Sequence, residues 1–259
     1  MTEFALYIDD GGHPDDQPFV VVAGYVATGS AWHEFESRWR DALTKSNVGN
    51  VFHMTEFMND RYKYSILRRE QILSTLALIT KTCTLYPFVC AIDIAAYKRV
   101  NEEFAFEECH GAPYAVTARS LARILNIWKD KNLQVDDRLQ TFVEEGTKHY
   151  GDLEQLFKRD GLPLPKRVPK ATPQVQPADI LAWELFNWLR HGSPKQQSNN
   201  LKRLTVPIRK KEDMGGILHE ADLRRICADT DVYRRSTLNP GDTIAFHSDR
   251  KRKRKRTIK

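Results

Sequence analysis

Phe4-Ala5-Leu6-Tyr7-Ile8-Asp9-Asp10-Gly11-Gly12 and Phe19-Val20-Val21-Val22-Ala23-Gly24-Tyr25-Val26-Ala27 are the stretches on which the fold turns. Each is short and rich in apolar, β-branched or aromatic residues, and neither has a polar face. Such strands sit in the middle of a sheet, covered on both sides. The polar loop between them, with its Gly, Pro and Asp residues, suits a hairpin-like return.

Further along, strands alternate with helices. Ser30 reads as the N-cap of a helix carrying Trp32, Phe35, Trp39 and Leu43 at helical spacing. Val51-Phe52-His53-Met54 reads as a short strand. A long helix is predicted over 65–82, and a buried strand from Tyr86 to Ile94 that ends near Asp93. Residues 97–112 read as an irregular, acidic lid or insertion. Pro113 opens an amphipathic helix through Leu121, Leu125 and Trp128. Leu139 to Val143 reads as a strand ending in Glu144-Glu145-Gly146, followed by a short helix at 152–158 and a Pro-rich passage at 163–177.

The next helix is very apolar and begins at Gln176-Pro177-Ala178-Asp179-Ile180-Leu181-Ala182-Trp183. Pro177 suits its first position, Gln176 suits a preceding cap, and Asp179 falls in the first turn. After Arg190 the composition turns polar; a strand at 204–208, a Gly215-Gly216 break and a helix near 219–228 follow. The pattern predicts an α/β fold with a mixed sheet flanked by helices. The expected organisation is a domain over 1–190, an extension packing on it over 191–246, and a basic tail over 247–259.

The chain has 259 residues and a net charge of +6. Residues 249–259 hold eight Lys or Arg and one Asp, which leaves the first 248 at −1. The run Arg250-Lys251-Arg252-Lys253-Arg254-Lys255-Arg256 repels itself, so it is expected to be disordered until it meets a polyanion such as nucleic acid. The same run resembles a nuclear localisation signal. No apolar run approaches the ~20 residues that span a membrane. No secretory signal is visible, and Cys83, Cys90, Cys109 and Cys227 lack zinc-type spacing. The expectation is a cytoplasmic protein without disulfides. A phosphate-binding loop, a dinucleotide fingerprint and a G-x-S-x-G elbow are all missing from the sequence.

In open sheets, sites lie at the carboxyl ends of strands. Asp9, Asp93 and Glu144 occupy such ends. Asp179 is an ionised carboxylate on an apolar helix face, a costly placement unless a cation or donor meets it. The helix dipole alone also favours an Asp there. Carboxylates gathered without His or Cys partners favour Mg²⁺ or Mn²⁺. Two such ions can activate a water and stabilise the leaving oxygen in phosphodiester cleavage. Asp9, Glu144 and Asp179 form the expected metal-holding set. Alternation points Asp10 away from Asp9, and Glu145 away from Glu144. His53-Met54-Thr55-Glu56 has two readings: His53 or Glu56 assists at the site, or the segment is an ordinary junction before a helix. Asp93 reads as a structural Asp or an alternative ligand. Trp32, Trp39, Trp128, Trp183, Phe186 and Trp188 read as core rather than as base-stacking platforms.

Tyr7-Ile8-Asp9-Asp10-Gly11-Gly12, the strand at 19–27, Phe52-His53-Met54-Thr55-Glu56, Phe142-Val143-Glu144-Glu145 and Gln176-Pro177-Ala178-Asp179-Ile180-Leu181-Ala182 occur in one order. Together they resemble the bacterial and phage family called "domain of unknown function 3800", over residues 4 to 190. Gln-x-Ala-Asp before an apolar helix is the most specific of these motifs. The resemblance implies a ribonuclease H-like fold and a metal-dependent nuclease. Under it Asp9 and Asp179 match the first and last acidic positions, and His53 matches a His before a small residue and an acid. Two departures stand out. Asp10-Gly11-Gly12 replaces Glu-Ser-Gly, and Glu144 stands where the family has Asp. The other functions weighed are a non-catalytic nucleic-acid-binding or defence-complex subunit, and a hydrolase of a small phosphorylated or nucleotide substrate.

Overall fold

The computed structural model describes residues 1–12, 17–59, 63–84, 86–147, 150–191, 215–230, 232 and 234. The strand predicted at 204–208, most of the polar linker and the basic tail lie outside them. Among the described residues, six strands form one mixed sheet in the order β5-β4-β1-β2-β3-β6. They are β1 (Glu3–Gly11), β2 (Phe19–Thr28), β3 (Tyr86–Asp93), β4 (Arg138–Glu144), β5 (Lys166–Val168) and β6 (Gly215–Leu218). β1, β2 and β3 run antiparallel in succession; β4 and β5 continue parallel to β1, and β6 is parallel to β3.

The two opening strands are central, as their lack of a polar face predicts. Leu6, Ile8, Val20 and Val22 are buried on one face; Val21, Ala23, Tyr25 and Ala27 are buried on the other. The first face is covered by α4 (Ile94–Glu103), α5 (Phe106–His110), α6 (Pro113–Asn132), α7 (Tyr150–Asp160) and α9 (Glu220–Asp229). The second is covered by α1 (Gly29–Ser46), α2 (Met54–Met58), α3 (Ile66–Cys83) and α8 (Gln176–His191). No described helix is long and apolar enough to cross a membrane. The part of the 191–246 extension that is described adds β6 to the edge of the same sheet and packs α9 against α4.

Several local expectations are corrected. Thr28, not Ser30, caps α1: its hydroxyl accepts the Ala31 N–H at 3.2 Å. Residues 51–53 are not a strand, and Met54 opens α2. Residues 97–112 are neither irregular nor a lid. Asp93 caps α4 by accepting the Ala96 N–H at 3.0 Å, and Tyr97, Val100, Phe104, Phe106 and Cys109 are buried beneath the sheet face. The acidic composition misled because Glu102 and Glu107 occupy the solvent side of these two short helices. The Gly215-Gly216 pair is strand rather than break. A Cβ on Gly215 would lie 2.1 Å from the Val89 carbonyl oxygen, so glycine permits the pairing with β3.

Candidate functional site

The register of the central parallel pair builds the site. Tyr7 faces Phe142 and Ile8 faces Val143 across β1 and β4. The Tyr7 and Phe142 rings stack with centroids 4.7 Å apart. Two residues on, the period of a strand returns Asp9 and Glu144 to that same face, at the carboxyl ends of two parallel strands. α8 crosses that end closely. A Cβ on Gly11 would lie 3.2 Å from the Ala182 carbonyl oxygen, and Gly12 turns the chain away at φ +90°. Glycine at these two positions is therefore what the packing of α8 on β1 requires.

α8 delivers Asp179 above the strand ends. Asp179 is buried, and its Oδ2 accepts the Met54 N–H at 2.7 Å. Gln176, one turn earlier, is buried rather than capping. Its side-chain Oε1 accepts the Phe52 N–H at 3.0 Å and the Trp39 Nε1–H at 2.8 Å. His53 is thus extended (φ −136°, ψ 121°) between two residues, Phe52 and Met54, whose N–H groups are taken by α8 side chains rather than by a neighbouring strand. His53, held between these anchors, has Nδ1 at 3.8 Å from Asp179 Oδ2, and this buried nitrogen has no hydrogen-bond partner.

Asp9, Asp10, His53, Glu144, Glu145 and Asp179 line one cavity of about 910 Å³. Burial holds the Asp9 carboxyl well above the usual range, and Asp179, Asp10 and Glu144 push it further; the Asp10 N–H opposes them. Asp179 is raised by burial, against the pull of His53, the Met54 N–H and Lys170. Glu144 is raised by burial as well, with Lys170 and His53 opposing and Asp179 adding. Among the described residues, no group of three or more His, Cys, Asp or Glu side chains has the spacing of a metal centre.

No protein-family model and no curated protein matches this chain. The resemblance described above therefore rests on its quoted motifs alone.

The other sequence-named residues divide. Asp10 and Glu145 both reach the cavity although alternation turns them from Asp9 and Glu144, because the cavity wraps around the sheet end. Glu56 is exposed on α2 and does not line the cavity, whereas its neighbour Thr55 does. Asp93 serves as the α4 cap and also lies outside the lining. Sequence reading missed three contributors. Tyr114, in the first turn of α6, lines the cavity; burial, then the charges of Asp10 and Asp9, hold its phenol well above the ordinary range. Lys170, exposed after β5, acts electrostatically on Glu144 and Asp179. Gln176 positions the His53 segment. Only Gln176 had a local signal, its place in the Gln-x-Ala-Asp motif.

Proposed function

We propose that this chain is a metal-dependent nuclease with a ribonuclease H-like core, related to the "domain of unknown function 3800" family. The observation that carries this reading is the convergence of Asp9, Glu144 and Asp179 on one cavity, each raising or sharing in a raised carboxyl pKa. The order β3-β2-β1-β4-β5, antiparallel across the first three strands and parallel beyond, supports the fold assignment.

The donor set suits Mg²⁺ or Mn²⁺: every carboxylate is a hard oxygen ligand, and the nearby Lys170 and His53 offset only part of their charge. Mg²⁺ usually takes one or two protein carboxylates and completes its shell with waters and substrate phosphates, so a closed cage of side chains is not required. When bound, such an ion supplies activation of the attacking water and charge neutralisation at the phosphate. Asp9, Glu144 and Asp179 would hold it. Asp179 also orients the 52–54 segment. His53 faces Asp179 from that segment and, when protonated, favours its ionised form. Glu56, outside the cavity lining, is assigned no step.

The test is cleavage of single- and double-stranded DNA and RNA by purified protein with Mg²⁺ or Mn²⁺, with chelator as control. Cleavage that needs the metal and disappears in Asp9→Asn and Asp179→Asn is the expected result. Cleavage unchanged in either variant sinks the site. Nucleic-acid binding that persists in chelator, with no cleavage of any substrate, points instead to a non-catalytic binding subunit.

A further inference from the structure

The wall of the cavity opposite the strand ends is one face of α8. Asp179, Trp183, Phe186, Asn187 and Arg190 all line it. Their spacings of three, four and seven residues place them along a single stripe. From Asp179 to Arg190 the stripe rises about 16 Å. It passes from a buried carboxylate to a partly exposed aromatic ring, an amide and an exposed guanidinium.

Trp183 lines the cavity, which none of the other four tryptophans, Trp188 included, does. The Trp32, Trp39 and Trp128 rings are packed against other aromatic rings. Trp183 has no ring partner among the described residues, and one flank faces the cavity. Asn187 donates its amide N–H to the Trp183 carbonyl at 2.8 Å. Arg190 has no carboxylate partner among the described residues. Lys170, exposed after β5 and outside the cavity lining, supplies a second cation close enough to act electrostatically on Glu144 and Asp179. The helical spacing that made Trp183 read as core is thus only half of its role.

We propose that this stripe is a binding track for single-stranded nucleic acid, with an unpaired base on Trp183 and backbone phosphates at Arg190 and Lys170. The inference rests on the nuclease reading and names its substrate class. An aromatic platform accepts any base by its face, and flanking cations follow the backbone. In a duplex, base faces are occupied by stacking, so a ring recessed in a cavity reaches only an unstacked base. A cavity of about 910 Å³ also has room for a base with its adjoining phosphates.

The test is equilibrium binding by the full chain, in chelator, of a short labelled single strand, the matching duplex and a mononucleotide competitor. A salt series separates the basic tail, whose phosphate contacts weaken steeply with salt, from stacking. The single strand should bind more tightly than the duplex. Trp183→Leu should weaken it by about tenfold, within the range measured for losing one base–aromatic stack. Trp183→Phe should restore most of the affinity. Arg190→Glu, at an exposed position, should weaken binding and lower the salt slope by about one. The proposal is overturned if folded Trp183→Leu binds like wild type, if the duplex binds equally well, or if the mononucleotide competes as strongly as the strand. Should Trp183→Leu fail to fold, unchanged binding by Arg190→Glu overturns it. Because binding is read without metal, absence of cleavage counts against the nuclease reading alone.

Discussion

Asp179 Oδ2 accepts the Met54 N–H at 2.7 Å, so one carboxylate both faces the cavity and fixes the segment that carries His53. This double duty separates two substitutions. Asp179→Asn keeps a side-chain oxygen for Met54 and should fold like wild type, yet lose at least about 100-fold in cleavage, the upper end of losses seen for outer-shell changes at metal sites. Asp179→Ala leaves the Met54 N–H buried and unpaired, and should also cost about 1–3 kcal/mol of stability. Denaturant melts beside cleavage assays check both.

Gln176 offers a contrast: it holds the His53 segment but brings no carboxylate to the cavity. Gln176→Ala orphans the Phe52 N–H and the Trp39 indole N–H, two donors that it now satisfies. A loss of about 2–4 kcal/mol is expected from the usual cost of unpaired buried donors. Chemical denaturation measures it. Metal affinity in the fraction that remains folded should change little, because no cavity carboxylate is removed.

The raised carboxyls make stability depend on pH. The folded chain holds the Asp9 and Asp179 protons more tightly than the unfolded chain does. The stabilisation from this source is complete below the ordinary Asp value of 3.8 and is lost as pH rises through the raised folded values. Asp9→Asn should therefore melt higher than wild type at neutral pH without divalent ions, by about 2–4 °C per kcal/mol relieved. The gap should close as the pH falls below 3.8. A melting series against pH reads the sign directly.

His53 lowers the Asp179 and Glu144 carboxyls. Removing it in His53→Ala should let both rise, so the acid limb of the pH–rate profile should move to higher pH. An unmoved limb would show that His53 does not act on the reacting carboxylates.

Much of this arrangement was legible in the chain. The hairpin of β1 and β2 and the helices at Ser65 and Pro113 follow from apolar patterning and caps. The position of Asp9 and Glu144 at strand ends follows from where the apolar runs stop; the parallel pairing of β1 with β4 that sets the two strand ends side by side does not. What was not legible depends on distant partners. The apolar run at 51–54 reads as a strand, but the Phe52 and Met54 N–H groups are taken by Gln176 and Asp179, more than 120 residues away, instead of by a sheet neighbour. β5 is only three residues of edge strand inside a Pro-rich passage, too short for any period to show. Lys170 has no sequence signal, since an exposed Lys is ordinary until the fold sets it beside carboxylates. Glu56 read as a possible participant, but the first turn of α2 turns it to solvent.

Calorimetric titration of Mn²⁺ at neutral pH, in buffers of different ionisation enthalpy, bears most directly on the carboxylate cavity as a cation site. Wild-type protein should bind Mn²⁺ and release any protons that the raised Asp9 and Asp179 carboxyls still hold, while Asp9→Asn binds far more weakly. Wild-type protein that takes up no Mn²⁺, or an Asp9→Asn variant that binds it as tightly with the same proton release, would contradict the account.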